Sequence, residues 1–584
     1  MKLSDYIVQF FVEREITDFF GYQGTMIAHL VDSIGKNAVA RNHVCYNEQG
    51  AAFAVCGYAC TSGKCGVGYA TSGPGALNMV SGIANAYYDS IPAIFIMGQI
   101  NTFEYYENLP NLRQAGFQET KTVEICRPIS KYAVQITKPE QIRYELEKAY
   151  FFATTGRKGP VVLDLPMNIQ SADIEPDKLC GYQTDIDKTF CTEDVLSTLK
   201  VALQNAYRPV LLLGNGIAAQ DYSIFIDFAQ ALKIPIVTSL LAKGCIAYNH
   251  ELNFGYLGGA YGHRYANMIV SGKSDLIISI GCSLCTRQTG TKISRFAPDA
   301  KVIRFDVDSE ELKRKIKPDE QGFLMDTAIL AELLRKQKYA WEKWTPCAPA
   351  WLDFCRRYKH FVEDFDAQCE QRYPNRVVEM FNPWIKSGDI IACDVGQHMM
   401  WIAQSLHSKG GQTFLFSGGH GAMGFALPAA IGASIVSKGK TVYCFCGDGA
   451  MQMNIQELQW LKREQRDIVL VVFNNKSLGL ITQQQDAYFA QMHFGAAAPD
   501  YMAPSFSAIA HAYDIDASCI TNLEEIDDAL KKRKEGAPLL LEFIFDKPTM
   551  AYPKTTLGKE IYNQEPALPQ NELEYYLSDT CMEN

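Results

Sequence analysis

The chain has 584 residues, more than one hydrophobic core organises, so about three domains are expected. At 47% hydrophobic and 21% charged it has the make-up of a globular protein, and a net charge of −10 argues against nucleic acid as its main partner. No run of about 18 apolar residues occurs, so no membrane span is expected.

The opening segment, MKLSDYIVQFFVEREITDFFGYQG, places apolar residues at helical spacing broken by Asp5, Glu13 and Glu15. It predicts an amphipathic helix rather than a signal peptide. QGAAFAVCGYACTSG reads as a helix. CGVGYAT, IPAIFIMGQ and GPVVLDLP are short apolar runs bounded by Gly and Pro, and read as strands. This alternation is the rhythm of parallel α/β sheets, and the first block is placed at residues 1–170. A polar stretch over residues 171–190 reads as a linker. A second α/β block, 191–345, opens with RPVLLLGNGIAAQD, whose GNGIAA is a partial dinucleotide-type motif, and closes with AKVIRFDVDSEEL. A charged, aromatic helical stretch over 346–370 leads to a third block, 371–550, from GDIIACDVGQHMMWIAQ to APLLLEFIFDKP. Residues 551–584 hold several Pro and read as a tail that folds over the rest. The expected fold class is therefore α/β, with three doubly wound parallel-sheet domains that amount to a coarse repeat.

The 18 cysteines lie scattered through apolar runs and read as buried thiols of a reducing, cytoplasmic compartment. Cys282 and Cys285 form one C-x-x-C without a second pair at zinc spacing. The ten His show no H-E-x-x-H pattern. GYACTSGKC fails as a P-loop: five residues separate Gly57 from Gly63, and Cys65 follows Lys64.

In open parallel sheets, ligands bind beyond the carboxyl ends of the strands. YATSGPGALN supplies Ser72, Gly73 and Gly75 at one such end, and FSGGHGAMGFALPAAIG and GDGAMQMN mark two more. Glycine admits close approach of a ligand, and helix N-termini favour phosphate. YCFCGDGAMQMN stops at Asp448, and DIVLVVFNN, one βα unit later, stops at Asn475. Both are hard oxygen ligands suited to Mg²⁺ or Ca²⁺, and Mg²⁺ takes one or two protein groups plus substrate phosphates. Either residue alone reads more simply as a cap; the pair at adjacent strand ends points to a metal–phosphate clamp.

GDG followed about 25 residues later by NN resembles the signature of thiamine diphosphate (ThDP) enzymes. The wider match, in NEQGAAFAVCGYA, TSGPGALNMVSGIANAYYDSIPAIFIMGQ, GFQET, RPISKY, GAMGFALPAAIGA and GDGAMQMNIQELQWL, is similar to the acetolactate synthase large-subunit family over nearly the whole chain. The resemblance implies a pyrimidine domain, a central domain and a diphosphate domain. It implies Mg²⁺ held by Asp448, Asn475 and the Ser477 carbonyl, flanked by Gly447, Gly449 and Ala450. Gly396, Gln397 and His398 resemble a phosphate-contacting loop. Gly421 and Met423 would meet the pyrimidine, with the Met423 side chain wedging the cofactor bent. Glu48 matches the catalytic glutamate, whose proton favours the imino tautomer that deprotonates the thiazolium ring. Ser72 and Asn78 are likewise expected to bind the cofactor. Phe117 and Gln118 match the substrate side, and Thr25, Arg287, Leu480 and Gln484 match the substrate pocket. Because Glu48 and Asp448 fall in different domains, the resemblance implies a site shared between subunits, a homodimer or homotetramer, and leaves room for a regulatory subunit.

Several positions depart from the family pattern. Asn47 replaces His before the glutamate. Gln23 and Thr25 replace a Pro-Gly-Gly turn. Met167 replaces Lys. Cys285 and Thr286 replace aspartates before Arg287, which leaves FAD open. Gln484 replaces an acceptor-pocket Trp and suggests a roomier, more polar site. The leading expectation is a carboligase that decarboxylates pyruvate, a 2-keto acid, and transfers its two-carbon unit to a carbonyl acceptor. Alternatives are transfer to a keto-sugar, simple 2-keto acid decarboxylation, flavin-linked pyruvate oxidation and a non-catalytic subunit; intact Glu48, Asp448 and Asn475 argue against the last.

Overall fold

The computed structural model describes residues 1–106, 109, 111–184, 193–489 and 492–578. Three six-stranded sheets carry the chain, and their neighbouring strands run parallel. The first sheet holds β1 (Asp18–Gly21), β2 (Arg41–Val44), β3 (Gly66–Ala70), β4 (Ala93–Gln99), β5 (Tyr132–Gln135) and β6 (Pro160–Pro166), in the order β2-β1-β3-β4-β6-β5. The second holds β7 (Pro209–Leu213), β8 (Ile236–Thr238), β9 (Asn253–Tyr256), β10 (Leu276–Ile280), β11 (Lys301–Asp306) and β12 (Gln321–Leu324), in the order β12-β11-β10-β7-β8-β9. The third holds β13 (Ile390–Cys393), β14 (Phe414–Phe416), β15 (Val442–Gly447), β16 (Ile468–Asn474), β17 (Asp516–Ile520) and β18 (Leu539–Ile544), in the order β14-β13-β15-β16-β18-β17.

The first and third sheets thus share one topology, and the coarse repeat is a repeat of these two. The central sheet differs and follows the strand order of dinucleotide-type domains. Helices cover both sheet faces, so strands such as β16 are apolar and buried throughout rather than alternating.

Two helices join the outer thirds of the chain. The helix Glu48–Ser62 is apolar nearly all round, which suits an element buried on every side. It crosses the helix Ala426–Ser434, all of whose residues are buried. Glycines set the closeness: a Cβ on Gly57 would stand 2.0 Å from the Ala429 carbonyl oxygen, and one on Gly432 2.1 Å from that of Ala54. The first and third sheets therefore share one core, with Phe53, Phe425, Ile431 and Trp460 inside it.

The N-terminal segment forms the helix Leu3–Val12 and buries Leu3, Ile7, Val8 and Phe11. Residues 346–370 hold the helix Pro349–Gln368, which inserts Trp351, Phe354 and Tyr358 into the central core. The tail lies on that same core through Leu568 and Tyr576. Buried Arg264 ties it down by donating to the carbonyls of Gln564 and Pro566 at 2.9 and 2.7 Å. Residues 185–190 of the first linker and 579–584 of the tail lie outside the described residues. Among the described residues no helix is long and apolar enough to cross a membrane, and the cysteines are free thiols.

Candidate active site

The carboxyl ends of β1, β2 and β3 bring together one group of candidate residues. Glu48 opens its helix just after β2, with Asn47 as the cap: the Asn47 side chain accepts from the Gln49 amide at 2.8 Å. The Glu48 side chain is 8% exposed and accepts from Asn78 Nδ2 at 2.9 Å. Gly75 lies under it, where a Cβ would come to 3.0 Å from Glu48 Oε1. Ser72 is fully buried and its hydroxyl has no partner. Gln118 approaches Gly73 with φ +66°, a left-handed conformation uncommon for a side chain of this size. Thr25 is exposed on a turn whose neighbours Gly24 and Met26 pack on Thr71. Phe117 is 77% exposed.

The matching place on the third sheet, beyond β13, β15 and β16, gathers the second group. Asp448 begins the helix Asp448–Met453 and is 2% exposed. Its Oδ1 accepts from the Gly449 amide at 2.7 Å, while its Oδ2 is buried without a partner. Burial pushes the Asp448 carboxyl up to about 6, held back by the amides of Gly449, Lys476 and Ser477 and by the Tyr501 hydroxyl. The ends of β15 and β16 lie side by side because the two strands pair in parallel register, Gly447 with Phe473. Asn475 donates to Thr549 Oγ1 at 2.8 Å, which leaves its oxygen with only the Ser477 amide at 3.3 Å. Gln397 donates to the carbonyls of Gly479 and Thr549, each at 2.9 Å, and its oxygen accepts from Thr549 Oγ1 at 2.7 Å. The His398 ring lies over Gly396 and Gly447, where a Cβ would stand 2.4 and 2.8 Å from Cε1. Burial drives this imidazole down to about 3, and Nε2 has no partner. The Met423 methyl lies 3.3 Å from where Gly449 would carry a Cβ, and Gly421 turns at φ +71° just before it. Ala450 is buried behind them.

Unpaired buried polar atoms thus fall in both groups. A buried carboxylate oxygen with no cation beside it, an amide oxygen nearly free and the backbone of Ser477 form a hard-oxygen set that fits Mg²⁺. The glycine floor and the unpaired Ser72 hydroxyl and His398 Nε2 suit a polar, close-lying organic ligand. Among the described residues no hydrogen bond or ion pair joins Glu48 to the Asp448 group.

The remaining candidates lie at the rim. Arg287 reaches across from the central sheet and donates to the Gly418 carbonyl at 2.6 Å, without an ion pair among the described residues. Leu480 is half-buried against the third-sheet core. Gln484 is exposed on the helix Gly479–Tyr488. Its neighbour Gln483 is the buried one, accepting from Gln397 Nε2 at 3.0 Å and from the Ala551 amide at 2.9 Å. In the central sheet, GNGIAA is not a free cradle: a Cβ on Gly214 would stand 2.0 Å from the Gly281 carbonyl, so these glycines serve loop-on-loop packing.

Comparison with known proteins follows the same division. Residues 1–125 match the family described as thiamine pyrophosphate enzyme, N-terminal TPP binding domain; 196–334 match its central domain and 394–543 its C-terminal TPP binding domain. A probable acetolactate synthase large subunit of Methanocaldococcus jannaschii is 33% identical, over 96% of this chain and 95% of that one. The acetolactate synthase large subunit of Lactococcus lactis is 32% identical, over 95% and 94%. The acetolactate synthase isozyme 2 large subunit of Escherichia coli is 31% identical, over 96% and 98%. The chain belongs to the acetolactate synthase large-subunit family.

Within this thiamine pyrophosphate enzyme, the first group lies in the N-terminal TPP binding domain and the second in the C-terminal one. Several residues of the second group escaped sequence reasoning. Asp394 accepts from the amides of Gly424 and Ala426 at 3.0 and 2.8 Å and so fixes the turn that carries Gly421 and Met423. It ends β13 just as Asp448 ends β15, so the same pattern could have found it. Thr549 and Gln483 carry no such signal.

Proposed function

We propose that this chain is the catalytic subunit of a ThDP- and Mg²⁺-dependent carboligase. It decarboxylates pyruvate and joins the two-carbon unit to a second 2-keto acid, as acetolactate synthases are named for doing. The observation that carries this reading is the pairing of Glu48–Asn78 with the unpaired Asp448 oxygen, at equivalent ends of two like sheets in a chain related end to end to acetolactate synthases.

ThDP, when bound, would supply a carbon nucleophile and an electron sink for decarboxylation. Asp448, Asn475 and the Ser477 carbonyl would hold Mg²⁺, which would supply positive charge for the diphosphate. Gln397 and His398 complete the phosphate side, the neutral imidazole serving through its free nitrogen. Gly421 and Met423 line the pyrimidine, and Gly449 leaves room for it. Glu48, oriented by Asn78, keeps a proton at the pyrimidine nitrogen and so sets the tautomer that acts as base. Gln118 and Phe117 face the keto acid, and Thr25, Arg287, Leu480 and Gln484 shape the acceptor side. Arg287 suits a carboxylate because its fork binds both oxygens.

The two groups stand on separate sheets, and the first is edged by exposed Leu77 and Phe117. A second copy laid over these surfaces completes two sites and covers the apolar rim, so a homodimer is the smallest active unit and a homotetramer its doubling. The relatives' designation as large subunits extends the proposal to a regulatory partner. The free thiols suit a reducing cytoplasm, although they are not all buried as the sequence suggested: Cys60, Cys180, Cys285 and Cys519 are exposed. FAD stands outside the proposal, since loop packing accounts for the central glycines.

Incubation with ThDP, Mg²⁺ and pyruvate tests the reading. Acetolactate is the expected product; acetaldehyde or acetate in its place would refute it.

A further inference from the structure

The stretch Val44–Gln49, which delivers Glu48, is gripped from the other end of the same chain. Glu457 is fully buried. Its two carboxylate oxygens stand 3.1 and 3.2 Å from the Tyr46 amide nitrogen. Burial pushes this carboxyl up to about 7, with the Tyr46 and Asn47 amides and the Arg463 charge holding it back. Asn454 Nδ2 is bonded on one side to Gln49 Oε1 at 3.1 Å and on the other to the Gly424 carbonyl at 2.8 Å. Arg463 Nη2 donates to the Val44 carbonyl at 2.7 Å. Gly50, on the first turn of the Glu48 helix, is the residue that admits the Glu457 carboxylate: a Cβ there would come within 2.6 Å of Oε1.

The contacts bracket Glu48 on both sides, at residues 44 and 46 before it and 49 after it. They come from one segment, 454–463, which follows directly on the helix that Asp448 opens. A carboxylate at a helix N-terminus also compensates the unpaired amides and the dipole there, so the site is a favourable one for Glu457. Among the described residues the Glu48 side chain has no hydrogen bond or ion pair with any of them. Their geometry fixes the backbone from which the Glu48 side chain springs.

We propose that Glu457 is a positioning residue for Glu48: by clamping the Tyr46–Asn47 backbone it fixes where the Glu48 carboxyl stands toward the cofactor pyrimidine. This rests on the catalytic role given to Glu48 above. A misplacement of about 1 Å at such a group costs up to roughly a hundredfold in rate, which a buried hydrogen-bonded clamp prevents.

The test uses the full-length protein and two readouts that need no acceptor substrate. The first is deuterium exchange at the thiazolium C2 of bound ThDP, the step Glu48 serves, read by NMR after acid quench. Glu457→Ala should slow it about tenfold or more while ThDP affinity stays within about threefold. Glu457→Gln, whose amide oxygen still accepts from Tyr46, should recover most of the rate; if the alanine variant does not fold, Glu457→Asp, one methylene short of the Tyr46 amide, takes its place and should slow exchange likewise, a wild-type rate overturning the proposal. The second is amide exchange of the cofactor-free protein by mass spectrometry. The peptide spanning residues 44–52 should lose protection in Glu457→Ala while that spanning 448–453 keeps it. A wild-type C2 exchange rate in Glu457→Ala overturns the proposal, as does a loss shared equally by both variants with protection falling throughout the protein. If wild-type protein speeds C2 exchange no more than free solution does, the catalytic role of Glu48 falls, and this proposal with it.

Discussion

Glu48 and Asp448 are both buried acids, yet their surroundings give them different work. Glu48 accepts from one side-chain amide, that of Asn78, and Gly75 leaves room beside its other oxygen. Asp448 has the Gly449 amide on one oxygen and no hydrogen bond on the other. Glu48→Gln keeps the shape and removes the titratable proton. Turnover should fall about 10²–10⁴-fold, while ThDP binding measured by calorimetry stays close to wild type. Asp448→Ala removes the charge that a cation needs. Thermal unfolding with and without Mg²⁺ and ThDP checks this: at about 100 times Kd the wild type gains roughly 2.7 kcal/mol, and the variant should gain nothing. Asp448 and Asn475 were readable from sequence because polar side chains ending two apolar strands are conspicuous. Ser72 was readable as part of a glycine-bearing strand end, though not as a buried hydroxyl without a partner, while Gln118 was readable only through resemblance.

At the scale of elements, the crossing of Glu48–Ser62 with Ala426–Ser434 joins the outer sheets. Small residues let the two backbones approach, and Gly57 and Gly432 meet carbonyls directly. Gly432→Val cannot be absorbed by a rotamer change, because the obstacle is the Ala54 backbone. It should destabilise by about 3 kcal/mol, near the upper end for overpacked cores, read as a lowered urea midpoint with unchanged slope. The helix Gly479–Tyr488 shows how finely phase matters. One step of about 100° turns Gln483 into the Gln397 network and leaves Gln484 in solvent. A motif match locates the helix; which of two adjacent glutamines faces inward depends on how the helix lies on the sheet.

At the scale of the whole molecule, one buried charge opposes folding. Lys243 is 9% exposed and lines a cavity of about 20 Å³ with Lys359, His263 and Tyr248, and among the described residues its amine has no hydrogen-bond acceptor. Burial lowers this amine from 10.5 to about 7. Between those values the unfolded chain binds the proton and the folded one does not, so stability rises with pH across that window, and below it the full cost is present. Lys243→Met should therefore stabilise the protein by about 2 kcal/mol near pH 7, a gain that shrinks toward about pH 9.5. Urea titrations at the two pH values check both size and sign.

The sequence by itself determined the α/β class, the run of three blocks and the metal-type residues at two strand ends, because each is written in a local pattern of apolar runs, glycines and polar stops. Its resemblance to one family supplied Glu48 and the cofactor. Only the tertiary structure decided that the first and third sheets are alike and fused through two glycine-bearing helices while the central one differs. It also decided that the tail lies on the central core, and that Asp394, Gln483 and Thr549 close around the Asp448 group. Glu457, too, stands at the root of the Glu48 helix only in the folded chain. Those relations join residues up to some hundreds of positions apart, and only the packing of one element on another, which no local pattern encodes, brings them within bonding distance.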